Sequence, residues 1–280
     1  MRTTNYRVQE IAPGSYAILE FGLDIMYLIV GTKRALVIDT GTGAGNFKGF
    51  IESKTALPYD VTATHGHGDH VGGAGQFESI YIHDADLPML DEVTVEFRKG
   101  YCEAILQQYP EFKGDIDLDG IAAYPKPKTL PLKGGDSFDL GDRVITAYEA
   151  PGHTPGSVVF VDSKTKLVYS GDAYNPIFLL VMPGEDRMAV VRMFHAHAKA
   201  FLELKQREGL GPLYSGHDAP LPEAVLPDLV ACCEGILDGS IRPEPTEIHI
   251  FEGQFCNYGL AHIVYDGAMF SLRKEFFKFS

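Results

Sequence analysis

The sequence predicts an α/β fold in which helices cover the outer faces of two packed sheets. Apolar runs of strand length, separated by Gly-containing turns, fill residues 6–39, and a second series of such runs fills residues 144–169. Helical patterns follow each series, at residues 46–57 after the first and at residues 186–208 and 221–237 after the second. This order indicates a helix–sheet–sheet–helix layering.

The strands of both series are short and end at turn residues. In chain order, the predicted strands are residues 6–11, 15–20, 25–30, 35–38 and 60–64, followed by residues 144–148, 158–161 and 167–169. A polar helical segment at about residues 85–125 interrupts this order, and we interpret it as an insertion.

The end of the sequence has strand-like patterns again. Asp266-Gly267 lies between two apolar runs, which predicts the turn of a β-hairpin. We therefore expect a catalytic domain at residues 1–243 and a β-rich extension at residues 244–280 that packs on the same domain.

The composition is that of a globular protein with a sizeable core, since the 280 residues are 45% hydrophobic. The net charge of −14 disfavours nucleic acid as a partner, because binding to it depends on neutralising phosphates. The sequence has no secretory signal, no apolar run long enough to span a membrane and no C-x-x-C spacing among its four cysteines. These features predict a cytoplasmic protein that binds a small molecule and no membrane, with homo-oligomerisation left open.

Four metal-binding side chains lie within six residues of one glycine-rich segment. Residues 64–73 read Thr-His-Gly-His-Gly-Asp-His-Val-Gly-Gly and include His65, His67, Asp69 and His70. Imidazole nitrogen and carboxylate oxygen are ligands for zinc, iron and manganese. On a helix His65 and His67 would point to different faces, whereas in a loop the intervening glycines allow the backbone to turn and the donors to converge. A solvated turn remains the alternative reading of this segment alone.

Three further donors follow strand-like runs and lie in Gly-containing turns. His153 lies in Pro-Gly-His-Thr-Pro-Gly, Asp172 in Tyr-Ser-Gly-Asp-Ala and His217 in Tyr-Ser-Gly-His-Asp. Loops at the ends of strands that a rigid sheet holds in place are common positions for functional residues. If these donors meet His65, the residues from 65 to 217 form one domain.

These segments, in this order, resemble the metallo-β-lactamase-fold superfamily of metal-dependent hydrolases. The resemblance rests on the His-x-His-x-Asp-His motif and the later His, Asp and His, and it spans Asp39 to His217. It implies an αβ/βα four-layer sandwich, here with a helical insertion and a C-terminal β-hairpin. It also implies two divalent metal ions, one held by His65, His67 and His153, the other by Asp69, His70 and His217, with Asp172 as the bridge.

The carboxylate of Asp172 makes the pattern similar to the hydroxyacylglutathione hydrolase and lactonase branches of the superfamily. Its hard oxygen is compatible with iron or manganese as well as with zinc, which is the expected metal. The resemblance implies a hydroxide that bridges the two metals, is oriented by Asp69 and cleaves a small ester, thioester, lactone or lactam. The alternative is a metal-dependent oxidoreductase on the same scaffold, similar to a sulfur dioxygenase or a diiron redox protein. The complete set of donors favours hydrolysis.

Other polar residues are candidates for supporting roles. Asp39 follows an apolar run, and we expect it to accept a hydrogen bond from the far nitrogen of a ligand histidine, with a simple turn as the alternative. Tyr174 lies two residues after Asp172, where its phenol could assist catalysis by donating to the substrate oxygen, as the resemblance to lactonases suggests. Tyr258 and His262 are candidates for the pocket wall, with ordinary packing as the alternative.

A second His-x-His pair lies in a helical pattern. His195 and His197 fall within residues 186–208, and side chains two residues apart on a helix diverge. We therefore expect a surface or packing role for both.

Overall fold

The computed structural model describes residues 6–20, 24–116, 118–180, 186–248, 251–265 and 271–272. Within these ranges the fold is a mixed α/β sandwich, as the sequence predicts. The first sheet is formed by β1 (Arg7–Ala12), β2 (Ser15–Glu20), β3 (Asp24–Val30), β4 (Ala35–Ile38), β5 (Tyr59–Thr62), β6 (Ser79–His83) and β7 (Lys128–Leu132), in that spatial order. Strands β1 to β4 are antiparallel, and β4 to β7 are parallel.

The second sheet packs on the first. It contains β8 (Ser137–Asp139), β9 (Val144–Glu149), β10 (Val158–Asp162), β11 (Val168–Gly171) and β13 (Leu213–Ser215), in the order β13-β11-β10-β9-β8. Ile25, Tyr27 and Ile29 of β3 enter the core between the two sheets, whereas Met26 and Leu28 enter the core on the opposite face of the first sheet. A strand that is buried on both faces reads as a continuous apolar run, which is why β3 is apolar from Ile25 onwards.

Helices cover the outer faces of the two sheets. They are α1 (Phe47–Lys54), the single turn α2 (Gly68–Val71), α3 (Val95–Gln108), α4 (Arg187–Glu208) and α5 (Val225–Asp238). Asp186 caps the N-terminus of α4 by accepting a hydrogen bond from the Met188 amide, and Gly209 ends this helix with a φ of 60°. The prediction that α5 begins at residue 221 was wrong, because the amide of Leu221 donates to the carbonyl of Leu213 instead of starting a helix.

The predicted insertion is helical. It contains α3 and the 3₁₀ turns Asp84–Asp91, Pro110–Gly114 and Leu118–Gly120, which lie close to the expected limits of 85–125. The buried side chains of Cys102, Ile105, Ile116 and Ile121 form a small core of their own. This segment packs beside the loop that contains residues 64–73, since α2 and α3 are in contact.

The chain after residue 243 is β-rich and joins the same body. Strands β14 (Glu244–Ile248), β15 (Phe251–Tyr258), β16 (Ala261–Val264) and β17 (Ser271–Leu272) belong to a third sheet with β12 (Ile177–Leu179). The hairpin turn between β15 and β16 contains Gly259, with a φ of 53°, and the predicted turn at Asp266-Gly267 lies outside the described residues. Because β16 pairs with β12, the extension is hydrogen-bonded to the catalytic region, although its standing as a separate unit stays a prediction.

Among the helices in the described ranges, none combines the length and the apolar character that a membrane span needs.

Candidate metal centre

The histidine-rich segment lies at the end of β5 and begins as a loop. His65 and His67 belong to the loop, but Asp69 and His70 belong to the helical turn α2, which begins directly after His67. Neither Gly66 nor Gly68 is among the described glycines with a positive φ, so their expected part in turning the backbone does not depend on a left-handed conformation and stays a prediction. A Cβ atom on Gly68 would lie 2.2 Å from Cε1 of Phe97, so a larger residue there would have to displace this ring of the insertion.

The second sheet supplies the other donors. His153 lies between β9 and β10, Asp172 follows β11 directly, and His217 lies just after β13. All three strands end at the edge that faces the loop of the first sheet. The seven predicted donors therefore meet where the two sheets come together. Their ligand atoms form three sets, and the atoms of each set lie within 4.8 Å of one another: the first group is His65, His67 and His153, the second group is Asp69, His70 and His217, and the set of His65, His70 and Asp172 joins the two.

The first group consists of three imidazoles. His65 Nε2 lies 3.0 Å from His67 Nδ1, and His153 Nε2 lies 2.9 Å from the same nitrogen. A tetrahedral zinc ion with Zn–N bonds of about 2.0–2.1 Å holds its nitrogen ligands at similar separations, about 3.3 Å. These nitrogens could close around one ion with small movements.

The second group is richer in carboxylate. Asp69 Oδ2 lies 3.7 Å from His70 Nε2 and 3.5 Å from His217 Nε2. Asp172 lies between the groups: its Oδ2 atom is 3.1 Å from His217 Nε2 and 3.6 Å from His153 Nε2, while its Oδ1 atom is 3.6 Å from His70 Nε2. One carboxylate thus faces donors of both groups, which is the arrangement expected of a bridge.

Hydrogen bonds at the back of the centre direct ligand nitrogens into it. Asp39 Oδ2 accepts from Thr64 Oγ1 at 2.8 Å and lies 3.0 Å from His70 Nδ1, so the contact expected of Asp39 is confirmed. Since Thr64 Oγ1 donates to Asp39, it accepts from His65 Nδ1 at 3.0 Å. Both imidazoles then present Nε2 to the centre, as partners of this kind do for metal-bound histidines.

Two buried atoms of the centre are left without a hydrogen bond by the described residues. His70 Nε2 and Asp172 Oδ1 are buried and have no hydrogen-bond partner among the described residues. Leaving a buried polar atom unpaired costs about 1–3 kcal/mol, and more when the group is charged. A divalent cation between these atoms would satisfy both, so the donor set fits the metals that the resemblance implies.

The electrostatics of the two groups differ. Burial lowers the pKa of the His65 imidazole well below its ordinary value and lowers that of His153 to about 4, so both are neutral donors at neutral pH. Burial also lowers the pKa of His70, but the charges of Asp69 and Asp172 outweigh it and hold this pKa well above the ordinary value. In the metal-free chain the second group thus pairs carboxylates with a charged imidazole, whose proton a cation would replace.

Three residues that sequence reasoning missed support this centre. Asp24, at the start of β3, lies with its Oδ1 atom 3.3 Å from His217 Nδ1, and the Tyr101 hydroxyl of α3 contacts this carboxylate. Asp86 is fully buried and accepts from the amides of Gly66 and Gly156, which links the loop of His65 to the loop of His153. A charged residue at the start of an apolar strand was a signal for Asp24, but nothing local marks Tyr101 or Asp86.

Tyr174 has the contacts of a core residue. Its side chain is fully buried, its ring packs on Phe194 and Phe201 of α4, and its hydroxyl has no partner among the described residues. The catalytic role of Tyr174 stays a prediction, and these contacts favour packing. Tyr258 is 48% exposed at the end of β15, and His262 Nδ1 lies 2.8 Å from Asn257 Oδ1, so the proposed pocket wall also stays a prediction.

The second His-x-His pair lies on α4, as predicted. His195 Nε2 is 3.2 Å from Glu234 Oε1 of α5, and Lys199 Nζ is 3.0 Å from the same oxygen. In the described part of the chain, no group of potential metal ligands includes His195 or His197.

Comparisons with known proteins show the family of this chain. The profile of the metallo-beta-lactamase superfamily matches residues 26–216. The human acyl-coenzyme A thioesterase MBLAC2 is 30% identical over 162 residues, which are 52% of this chain and 57% of that protein. The probable metallo-hydrolase YqgX of Bacillus subtilis is 24% identical over 151 residues, which cover 52% of this chain and 64% of that protein. The chain thus matches little more than half of each of these relatives.

Solved structures share the fold. The metallo-beta-lactamase DIM-1 superposes with a TM-score of 0.53 at 16% identity and covers 83% of this chain and 98% of its own. The sec-alkyl sulfatase PisA1 has a TM-score of 0.58 at 15% identity and covers 82% of this chain and 42% of its own. The profile match includes every predicted donor but His217, which lies one residue beyond it, and the chain belongs to the metallo-β-lactamase superfamily.

Proposed function

We propose that this chain is a dinuclear metal-dependent hydrolase that cleaves a small acyl substrate. The observation that carries the proposal is the meeting of the seven donors at one place, where the carboxylate of Asp172 faces histidines of both predicted metal sites. In the first, His65, His67 and His153 would hold one divalent ion, and in the second, Asp69, His70 and His217 would hold the other. Bound metals of this kind supply Lewis acidity, which activates water near neutral pH and polarises the acyl oxygen.

The exposed fractions of the donor side chains indicate from which side a substrate can reach the centre. The side chains of Asp69, His153 and His217 are 14%, 13% and 22% exposed, whereas His70 is 2% exposed. Substrate would therefore approach from the side on which Asp69, His153 and His217 are partly exposed. The carboxylate of Asp69 is placed to orient an attacking water by accepting its hydrogen bond, and no serine, cysteine or lysine nucleophile is required.

A thioester is the substrate class that the relatives support first. The human relative carries the name of an acyl-coenzyme A thioesterase, and 162 residues of this chain match it at 30% identity. Esters, lactones and lactams present the same electrophilic carbonyl, so they belong in the same panel. The predicted similarity to the hydroxyacylglutathione hydrolase and lactonase branches of the superfamily is part of this proposal.

The experiment is a substrate panel with controlled metal loading. Apoprotein is reconstituted with zinc, manganese or iron and assayed against acyl-CoA thioesters, p-nitrophenyl esters, a γ-lactone and a β-lactam. We expect metal-dependent hydrolysis of a thioester or an ester. The variant His65→Ala should lose this activity, and His195→Ala, which alters a histidine away from the centre, should retain it.

Two results would contradict the proposal. One is an equal activity of apoprotein and reconstituted protein on every substrate. The other is turnover that needs iron and dioxygen and consumes a thiol or persulfide, which would favour the oxidoreductase alternative.

A further inference from the structure

The insertion places one polar group directly against the second group of donors. The hydroxyl of Tyr101, on α3, lies 3.2 Å from Asp69 Oδ2 and 3.0 Å from Asp24 Oδ1. Its ring stacks on Phe97 with 6.4 Å between the ring centroids and packs against the small core of the insertion. The ring of Tyr101 thus packs on apolar side chains of the insertion, and its hydroxyl contacts two carboxylates.

Both contacts of this hydroxyl lead to the same metal group. Asp69 is itself a donor of the second group. Asp24 is 1% exposed, and its Oδ1 atom lies 3.3 Å from His217 Nδ1, so it faces the back of another donor of that group. The hydrogen bonds found for Tyr101 include none with the first group, His65, His67 and His153.

A phenol has one proton to donate and so serves one carboxylate at a time. Between two carboxylates it supplies the hydrogen bond that neither can supply to the other. Removal of the hydroxyl would leave Asp69 and Asp24 facing each other across a gap, and both could rotate. Asp69 would then lose its fixed direction toward the centre, and the carboxylate of Asp24, which faces His217 Nδ1 at 3.3 Å, would lose its fixed position.

We propose that Tyr101 is a positioning residue for the second metal site. Its hydroxyl fixes the direction of Asp69 and, through Asp24, the orientation of His217. This inference rests on the proposed function, since it requires that Asp69, His70 and His217 bind a metal ion. It gives the insertion a role in the metal centre of this chain.

The position of α3 does not depend on this hydroxyl. Arg98, which is 3% exposed, donates to the carbonyls of Gly43 and Ala122 and so anchors the helix to two other segments. Cys102 and Ile105 are buried on the same helix. The substitution Tyr101→Phe therefore keeps the ring and the helix in place and removes only the hydrogen bonds to the carboxylates.

The test is a competition titration of the apoprotein with zinc against a chromophoric chelator, which gives two dissociation constants. The variant His153→Ala, which lacks a donor of the first group, assigns each constant to its group. Loss of a partner that orients a ligand typically weakens metal binding by about 10- to 100-fold. We expect Tyr101→Phe to raise the constant of the second group by this factor and to leave the first unchanged.

Two further variants make the result specific. Asp24→Asn should raise the same constant, because it alters the partner of His217. Tyr109→Phe is the matched control: it removes a hydroxyl at the end of the same helix, which accepts a hydrogen bond from Gln108 Nε2 at 3.3 Å. It should leave both constants unchanged.

The possible failures are distinguishable. Unchanged constants in Tyr101→Phe would overturn the inference, and so would an equal rise of both constants, which indicates a general loss of structure. A wild-type protein that binds no zinc at either group would instead overturn the proposed function, and the inference with it.

Discussion

At the scale of single residues, Asp172 is the most important side chain of the proposed centre, because it is the predicted bridge between the two metal sites. Its two oxygens face His70 on one side and His153 and His217 on the other. Burial raises its pKa, but the neighbouring imidazoles outweigh this and hold the pKa well below the usual range, so it is a carboxylate in the metal-free chain. It is therefore ready to bind a cation without first losing a proton.

The substitution Asp172→Ala should weaken both metal sites, whereas His65→Ala should weaken mainly the first. We expect the metal content of Asp172→Ala to fall below that of any single histidine variant, and its activity to fall by more than about 100-fold, since the loss of an outer partner alone costs about 10- to 100-fold. Asp172→Asn keeps the shape and removes the charge, so it should weaken both sites less than Asp172→Ala does. Metal analysis after dialysis checks this order. Wild-type metal content in Asp172→Ala would contradict the bridging position.

Tyr174 gives a prediction with opposite outcomes for its two possible roles. Burial raises the pKa of its hydroxyl, which is fully enclosed and unpaired among the described residues. Leaving such a group unpaired costs about 1–3 kcal/mol, so Tyr174→Phe should raise the melting temperature and leave kcat unchanged. If Tyr174 instead assists catalysis, kcat should fall by about 100- to 1,000-fold at unchanged metal content. Thermal unfolding and steady-state kinetics on the same preparation separate the two.

At the scale of elements, local pattern predicted the first strands of the chain well but missed the short strands β7, β8 and β12. The residues of β3 after Asp24 alternate between two cores and are all apolar, so the limits of this strand could be predicted within one residue. The first residues of α5 could not, because Leu221 forms a hydrogen bond with Leu213 and not with its own helix. The sequence showed glycine at positions 66 and 68. It could not show that residues of the insertion lie close to both positions, because these are tertiary contacts.

The insertion leads to a prediction about substrate. Phe97 covers Gly68, which lies between His67 and Asp69, and it is 44% exposed. An exposed aromatic ring beside the centre is suited to contact an apolar acyl group. We expect Phe97→Ala to raise KM for long-chain acyl substrates by about tenfold, roughly 1.4 kcal/mol, and to change KM for acetyl substrates little.

The comparison variant is Tyr258→Ala, which removes an aromatic ring that is 48% exposed at the end of β15. We expect it to leave both KM values near those of the wild type. An equal rise for long and short acyl groups in Phe97→Ala would argue against contact with the acyl chain. A rise in Tyr258→Ala would support the predicted pocket wall.

At the scale of the whole molecule, the centre joins the two sheets. His65 to His70 follow β5 of the first sheet, and His153, Asp172 and His217 follow strands of the second. Sequence order alone could place each donor at the end of a strand. It could not show that α3 would bring Tyr101 between Asp24 and Asp69, because this contact joins residues that are 77 and 32 positions apart.

Metals at this position should stabilise the fold. A ligand that binds only the native state stabilises it by about 2.7 kcal/mol at a free concentration 100 times its dissociation constant. We therefore expect EDTA to lower the melting temperature by several degrees, and zinc to restore it. His195→Ala should respond to EDTA as the wild type does, and Asp172→Ala should respond much less. An equal melting temperature with and without EDTA would show that the sheets are not linked through metal.

The most direct measurement of the central claim is the number of metal ions bound per chain. The protein is reconstituted with zinc and freed of excess metal, and its zinc content per chain is measured by elemental mass spectrometry. The ions are then located by anomalous diffraction at the zinc absorption edge. We predict close to two ions per chain, one beside His65, His67 and His153 and the other beside Asp69, His70 and His217, with Asp172 between them. A fully loaded protein with one ion, or with two ions placed elsewhere, would contradict it.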